Sequence, residues 1–190
     1  MRPIFVFAAT ALLALAGGQA GALADEVTDA IEQGRKAYQS GDLANAKQSL
    51  DLASQLIGQK NAEAFGKLLP AALSGWTAEP VQTSALGNVG FGASTASRAY
   101  QNPKGDQIEI QITGDSAIIL QYATFLTNPQ IAGAMGKIVM VGNLRALQNM
   151  DGDLHMIVNN KYLVAVQGNG SVNDKLAYAR AVNIAQLSKM

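Results

Sequence analysis

The chain has 190 residues, 48% of them hydrophobic, and its 14 basic and 14 acidic residues cancel to no formal net charge. A neutral chain without basic blocks lacks the electrostatic footprint that a phosphate backbone or an anionic lipid surface selects, so neither nucleic acid nor a charged membrane is an expected partner. Cysteine is absent, which removes disulfides, thiol nucleophiles, cysteine-ligated zinc or iron–sulfur centres and lipid attachment through Cys; packing must hold the fold, and a chain of this length can bury enough surface for that.

Residues 1–24 read as a cleavable secretory signal. Arg2 precedes an apolar run from Ile4 to Ala16, which Gly17-Gly18-Gln19 breaks. The run is shorter than the roughly 20 residues a membrane span needs, which argues against an uncut anchor. Ala22-Leu23-Ala24 supplies small residues at the −3 and −1 positions and Asp25-Glu26 are the first acids, so the expected cut follows Ala24. The expected destination is the periplasm, with release to the medium as the alternative.

Residues 25–70 read as a helical hairpin. The first helix runs to about Ser40, Gly41-Asp42 breaks it with Asp42 as the next N-cap, and a longer helix runs to the stop at Pro70. Leu43, Ala46, Leu50, Ala53, Ile57, Ala64 and Leu68, spaced by threes and fours, give that helix its expected apolar stripe, weakened at Gly58 and Gly66. Gly34, Tyr38, Gly41-Asp42, Ala46, Leu50 and Ala53 fall close to a known small/large pattern, and on them residues 27–60 resemble one tetratricopeptide (TPR) repeat. The chain departs from that family at Ala37, where an aromatic is usual, and at Gly58 in place of the closing Pro. No second copy follows, and such repeats bury their faces by stacking. The resemblance therefore implies that the hairpin leans on the rest of the chain, residues 71–190.

Residues 74–105 are rich in Gly, Ser, Thr and Ala and read as a loop. Gly87, Gly90 and Gly92 stand as G-x-x-G-x-G, the wrong order and context for a dinucleotide fingerprint, so the 84–96 stretch is expected to be a flexible loop. Strict alternation in Gln107-Ile108-Glu109-Ile110-Gln111-Ile112 marks a strand with the isoleucines inward and a partner near Ser97–Gln101. Residues 116–127 read as helix, and Asn128-Pro129 starts a short one. Gly142-Asn143, Asp151-Gly152 and Asn159-Asn160 read as two-residue turns joining four antiparallel strands. Ser171 with Asp174 caps a last helix whose expected inward stripe is Leu176, Ala177, Ala181, Ile184 and Leu187.

The register these turns imply puts Val139, Ala146, Ile157 and Tyr162 on one face and Ile138, Leu147, Met156 and Leu163 on the other. Both faces carry apolar rows, so helices are expected over both, with the N-terminal hairpin on the face the other helices leave open. The expected fold class is α+β: a six-stranded antiparallel sheet in the order β-β-α-β-β-β-β-α, preceded by the hairpin. That order resembles, in topology, the PsbP-like class of secreted and lumenal proteins.

Candidate chemistry is sparse. His155, the only histidine, is expected to face Gln148 and Val164 as a half-buried strand residue. Asp151-Gly152-Asp153-Leu154-His155 departs from a calcium-loop pattern after its second Asp and reads as a turn. Gly114-Asp115-Ser116 between strand and helix resembles the nucleophile block of GDSL-type hydrolases, but the D-x-x-H partner fails because Gly152 stands three before His155, leaving a helix cap. Trp76 reads as a wedge between layers, or else as the wall of a ligand pocket. Glu109 and Gln111 read as solvated. No catalytic, cofactor-binding or metal residue is therefore assigned. The expected function is a non-enzymatic binding or adaptor module for a protein partner, using the hairpin groove around Leu50 and Leu56 or the open part of the sheet; the alternative is a carrier of a small apolar ligand between sheet and helices, with a hydrolase third.

Overall fold

The structure, a computed structural model, describes residues 22–85, 93–114 and 116–190. Residues 1–21 of the expected signal, the glycines Gly87, Gly90 and Gly92, and Asp115 lie outside them. The expected cut after Ala24 falls in the first turn of helix α1 (Ala22–Gln39).

Helix α2 (Leu43–Gly66) begins where Asp42 accepts a hydrogen bond from the Asn45 N–H, satisfying one of the free donors of its first turn. It runs unbroken through Gly58. The expected stripe is buried only in part: Ala46, Ala53 and, just past the helix, Leu68 are buried, as are Gly58, Ala62 and Phe65 outside it, while Leu43, Leu50 and Ile57 are exposed. Two kinds of close approach explain this. Ala46 and Ala53 let α2 lie against α1, whose buried residues are Ala30 and Gly34. Farther along, a Cβ on Gly58 would stand 3.2 Å from the Ala85 Cβ and one on Gly66 3.0 Å from Val81, so small residues seat the helix on the sheet.

That sheet has eight strands rather than six. After β1 (Thr77–Ala78) and β2 (Gln82–Ala85) come β3 (Ser94–Gln101) and β4 (Gln107–Gly114). Helices α3 (Ile118–Thr127) and α4 (Pro129–Met135) lead into β5 (Gly136–Val141), β6 (Leu144–Asn149), β7 (Leu154–Val158) and β8 (Tyr162–Gly168). All pairings are antiparallel, in the order β1-β3-β4-β8-β7-β6-β5, with β2 also on β3. The segment read as a loop thus contributes two short edge strands and the first half of β3. The residues of β1 and β2 are Thr, Ala, Gln and Ser, mostly exposed on the edge, and those of the first half of β3 are Ser, Thr and Ala, so none of them gives an alternation of large apolar side chains.

Chain order ends with α5 (Val172–Ala181) and α6 (Ile184–Leu187), each capped, by Ser171 and Asn183. The fully inward residues of this pair are Lys175, Tyr178, Ala179, Val182 and Leu187; of the expected stripe Leu187 is buried and Leu176 and Ile184 are half-buried against the core, while Ala181 faces outward, because the break at Val182-Asn183 turns the stripe.

Strand β7 alone is inverted relative to expectation. His155 pairs with Leu147 and Ala165, and Met156, not Ile157, shares the face of Ala146 and Val164. Two added residues cause this. The Asn149 side chain accepts the Asp153 N–H while Asn149 N–H bonds the Asp153 carbonyl, lengthening the β6–β7 connection beyond two residues. In the β7–β8 turn, Asn159 and Asn160 both have positive φ, 52° and 54°, and Lys161 is left over, so Val158 pairs with Tyr162. The shifts cancel in β8.

One main core unites the halves. Phe65, Leu68 and Leu69 join Ile108, Ile110 and Ile112 of β4, Met156, Val164 and the α5–α6 residues Tyr178, Val182 and Leu187. Helix α2 therefore shares a face with α5 and α6 instead of taking the face they leave open. The opposite face is covered over β6–β8 by α3, where Leu126, Ala132 of α4 and Leu147 form a smaller cluster. Over β3–β4 that face carries Ala99 and Glu109, both exposed.

Candidate functional site

No catalytic constellation assembles among the described residues. The His155 ring, buried in β7, stacks on Tyr122 of α3 at 4.8 Å between centroids, and its Nδ1 has no hydrogen-bond partner. Burial, only partly opposed by Asp153, holds its pKa below the usual value, so the imidazole is neutral at physiological pH. Ser116 sits at the start of α3, where its hydroxyl oxygen accepts the Ile118 N–H at 3.4 Å, the work of a weak cap; no described imidazole meets it.

The acidic turn of residues 151–155 is occupied by the protein itself. Lys175, 1% exposed, reaches from α5 to donate to the Asp151 carbonyl at 3.0 Å and to Asp153 Oδ1 at 2.7 Å, and Asp153 also accepts from the Gly168 N–H and the Asn149 side chain. An ammonium group stands where a metal loop would put its cation. No group of three or more metal-ligating acids and histidines exists among the described residues. A lysine on the inward face of an amphipathic helix gave no local sign of this role.

Trp76 is a wedge. Its ring meets Tyr178 edge-on at 5.5 Å, and Gly170 lies so close that a Cβ there would be 3.3 Å from the indole. Tyr178 stacks in turn on Tyr100, which donates to the Pro70 carbonyl at 2.8 Å, and Tyr178 accepts the Leu73 N–H. Burial pushes both phenols above their ordinary pKa, so they remain protonated. This cluster ties the chain leaving α2 to β3 and α5.

Two surfaces remain as binding candidates. The first is the hairpin. On α1, Ile31 and Tyr38 stand seven residues apart, and on α2 Leu43, Leu50 and Ile57 do the same, so each set forms a line along its helix. Gly34 receives the Leu50 side chain, 3.0 Å from where its Cβ would be, which places both lines on the same side of the pair. All five are exposed, Tyr38 by 70% and Leu43 by 65%. The other side is a groove of mixed character, lined by Gln33, Ala37, Asn45, Gln48, Ser49 and the exposed Leu52. The expected groove residue Leu56 is half-buried and does not line it. The second candidate is a cleft of about 440 Å³ between α5–α6 and the β5–β6 and β7–β8 turns.

No protein-family model matches the chain, and no curated protein or solved structure matches it either. No helix among the described residues is long and apolar enough to cross a membrane.

Proposed function

We propose that the chain is an exported, non-enzymatic binding module that docks an amphipathic helix of a partner protein on the apolar side of its N-terminal hairpin. The signal-like residues 1–24 supply the address, and the periplasm is the destination we favour. The single observation that carries the reading is the pair of exposed apolar lines, Ile31 and Tyr38 on one helix and Leu43, Leu50 and Ile57 on the other, on the side where Leu50 meets Gly34. Large apolar residues clustered this way on a surface mark interaction sites, whereas scattered ones do not. In a TPR-like unit such a face would be buried by the next repeat, and a partner helix offers the same i, i+3, i+4, i+7 anchors. Its small inward residues, Ala30, Gly34, Ala46 and Ala53, hold the two backbones close and turn the large side chains outward.

Photocrosslinkers placed at Leu50 and, on the groove side, at Gln48 test this in an envelope extract. Leu50 should yield a discrete adduct with another protein, lost in a Tyr38→Glu/Leu43→Glu variant, and Gln48 should yield none. Equal labelling from both positions, no adduct, or an adduct only with a second copy of the chain would each overturn the reading.

A further inference from the structure

The cleft at the turn end of the sheet is remote in sequence from the hairpin and differs from it in chemistry. Its apolar wall is made by Val141, Leu144, Val158, Ala179, Val182 and Ile184, drawn from three stretches of the chain. Its volume, about 440 Å³, falls within the roughly 300–1,000 Å³ typical of small-ligand sites. The walls are braced without a ligand: Asn159 of the β7–β8 turn donates to the Ser188 carbonyl beyond α6, Asn183 caps α6, and the Asn183 N–H bonds the Leu68 carbonyl. Such bracing keeps the cleft from collapsing and reduces the ordering cost of filling it.

Charge in the cleft has one sign. Arg180, in the last turn of α5, is the sole charged residue of the lining, and its guanidinium makes no ion pair or hydrogen bond among the described residues. Arg35 and Lys36 pair with Glu32, Lys47 with Asp51 and Lys175 with Asp153, whereas Arg180, like Arg145 and Lys137, has no ion pair among the described residues; it alone of the unpaired cations lines this cleft. A planar fork of donors at the mouth of an apolar cleft matches a carboxylate, which it can bind bidentately. We propose that this cleft binds an aliphatic monocarboxylate, its chain lying on the Val141–Val158–Val182 wall and its carboxylate on Arg180. The site is independent of the protein-docking face.

Titration calorimetry of the full chain with decanoate, decanol and acetate tests it. Decanoate should bind, decanol should bind about tenfold more weakly for want of the charge-assisted hydrogen bonds, and acetate should not bind measurably. Arg180→Gln should bring decanoate down to the affinity of decanol while leaving decanol unchanged. Ala185→Trp, at an exposed position on the rim, should block both, and Tyr38→Glu/Leu43→Glu should affect neither. Amide shifts on adding decanoate should centre on Gly142, Asn143 and Asn159. Equal affinity for decanoate and decanol, undiminished binding of decanoate to Arg180→Gln, shifts centred on the hairpin, or no binding at all would overturn the proposal.

Discussion

The hairpin and the sheet bury opposite kinds of residue. Between α1 and α2 the buried positions are Ala30, Gly34, Ala46 and Ala53, and the large side chains Tyr38 and Leu43 stand mostly in solvent; around the sheet the large side chains Tyr100, Ile110, Met156, Tyr178 and Leu187 are inside. Close helix contact through small residues yields little apolar burial per residue, whereas the sheet core buries whole aromatic and aliphatic side chains. The stability of the fold should therefore reside in the sheet and its α5–α6 cover, with the hairpin supported at the Phe65 end of α2. Substitutions in the two regions can break or sharpen that contrast.

The largest effect is expected at Tyr178, the centre of the Trp76–Tyr178–Tyr100 cluster. Tyr178→Ala removes an aromatic ring from a fully buried site and leaves the Leu73 N–H without its partner, so it should cost about 3–5 kcal/mol in denaturant unfolding. A loss below about 1 kcal/mol would contradict the placing of the core, since that is the scale of surface changes. Next comes Lys175→Met, which strands Asp153 beside an apolar side chain. Asp153 keeps some solvent contact at 18% exposure, so about 2–3 kcal/mol is expected, less than for a fully buried pair. Asp153→Asn in the same chain should restore part of the loss, because the amide leaves no uncompensated charge.

These two residues also mark how far the sequence could be read. Asp42 and Ser171 declare their caps through side-chain chemistry, Gly142-Asn143 its turn, and Ile108, Ile110 and Ile112 their strand through strict alternation; each signal is local, and each matches the structure. The face of β7 was not legible because it depends on a hydrogen bond from the Asp153 N–H to the Asn149 side chain and on the extra Lys161, neither of which a two-residue turn rule contains. The buried side of α2 was misread in part, at Leu43, Leu50 and Ile57, for a different reason. Periodicity weights large residues, and this helix approaches its neighbours through Gly and Ala. Strands β1 and β2 carry no apolar alternation because they lie on an exposed edge. Lys175 was invisible since its role is set by a partner far away in the chain, Asp153, and the place of Arg180 on the cleft is likewise made by segments distant in sequence.

A smaller effect, on pH dependence, is expected from His155. Burial lowers its native pKa below the ordinary 6.5, so in the interval between the two values the unfolded chain binds the proton that the folded chain refuses. Stability should be level above about pH 6.5 and fall as pH drops below it, the sign that follows when the unfolded state takes up more protons. His155 is the only histidine, so unfolding curves of His155→Phe should lose this slope between about pH 5 and 6.5, below which carboxylates titrate. An unchanged slope in the variant would show that the imidazole is not held neutral under Tyr122.

The smallest effect on stability is expected where the function is proposed, and it is the test that separates the two regions most sharply. Tyr38→Ser and Leu43→Ser remove large apolar side chains, yet both residues are mostly in solvent. Each should change unfolding free energy by no more than about 0.5 kcal/mol, the range of surface substitutions. The α1–α2 seam would be untouched, because Ala30, Gly34, Ala46 and Ala53 make it. A loss of 2 kcal/mol or more, roughly the cost of emptying a core site, would mean that these side chains already have an intramolecular partner and that no apolar face is free for docking. A near-zero change leaves Tyr38 and Leu43 without a role in holding the fold, so their clustering on one side of the hairpin has its explanation in what binds there.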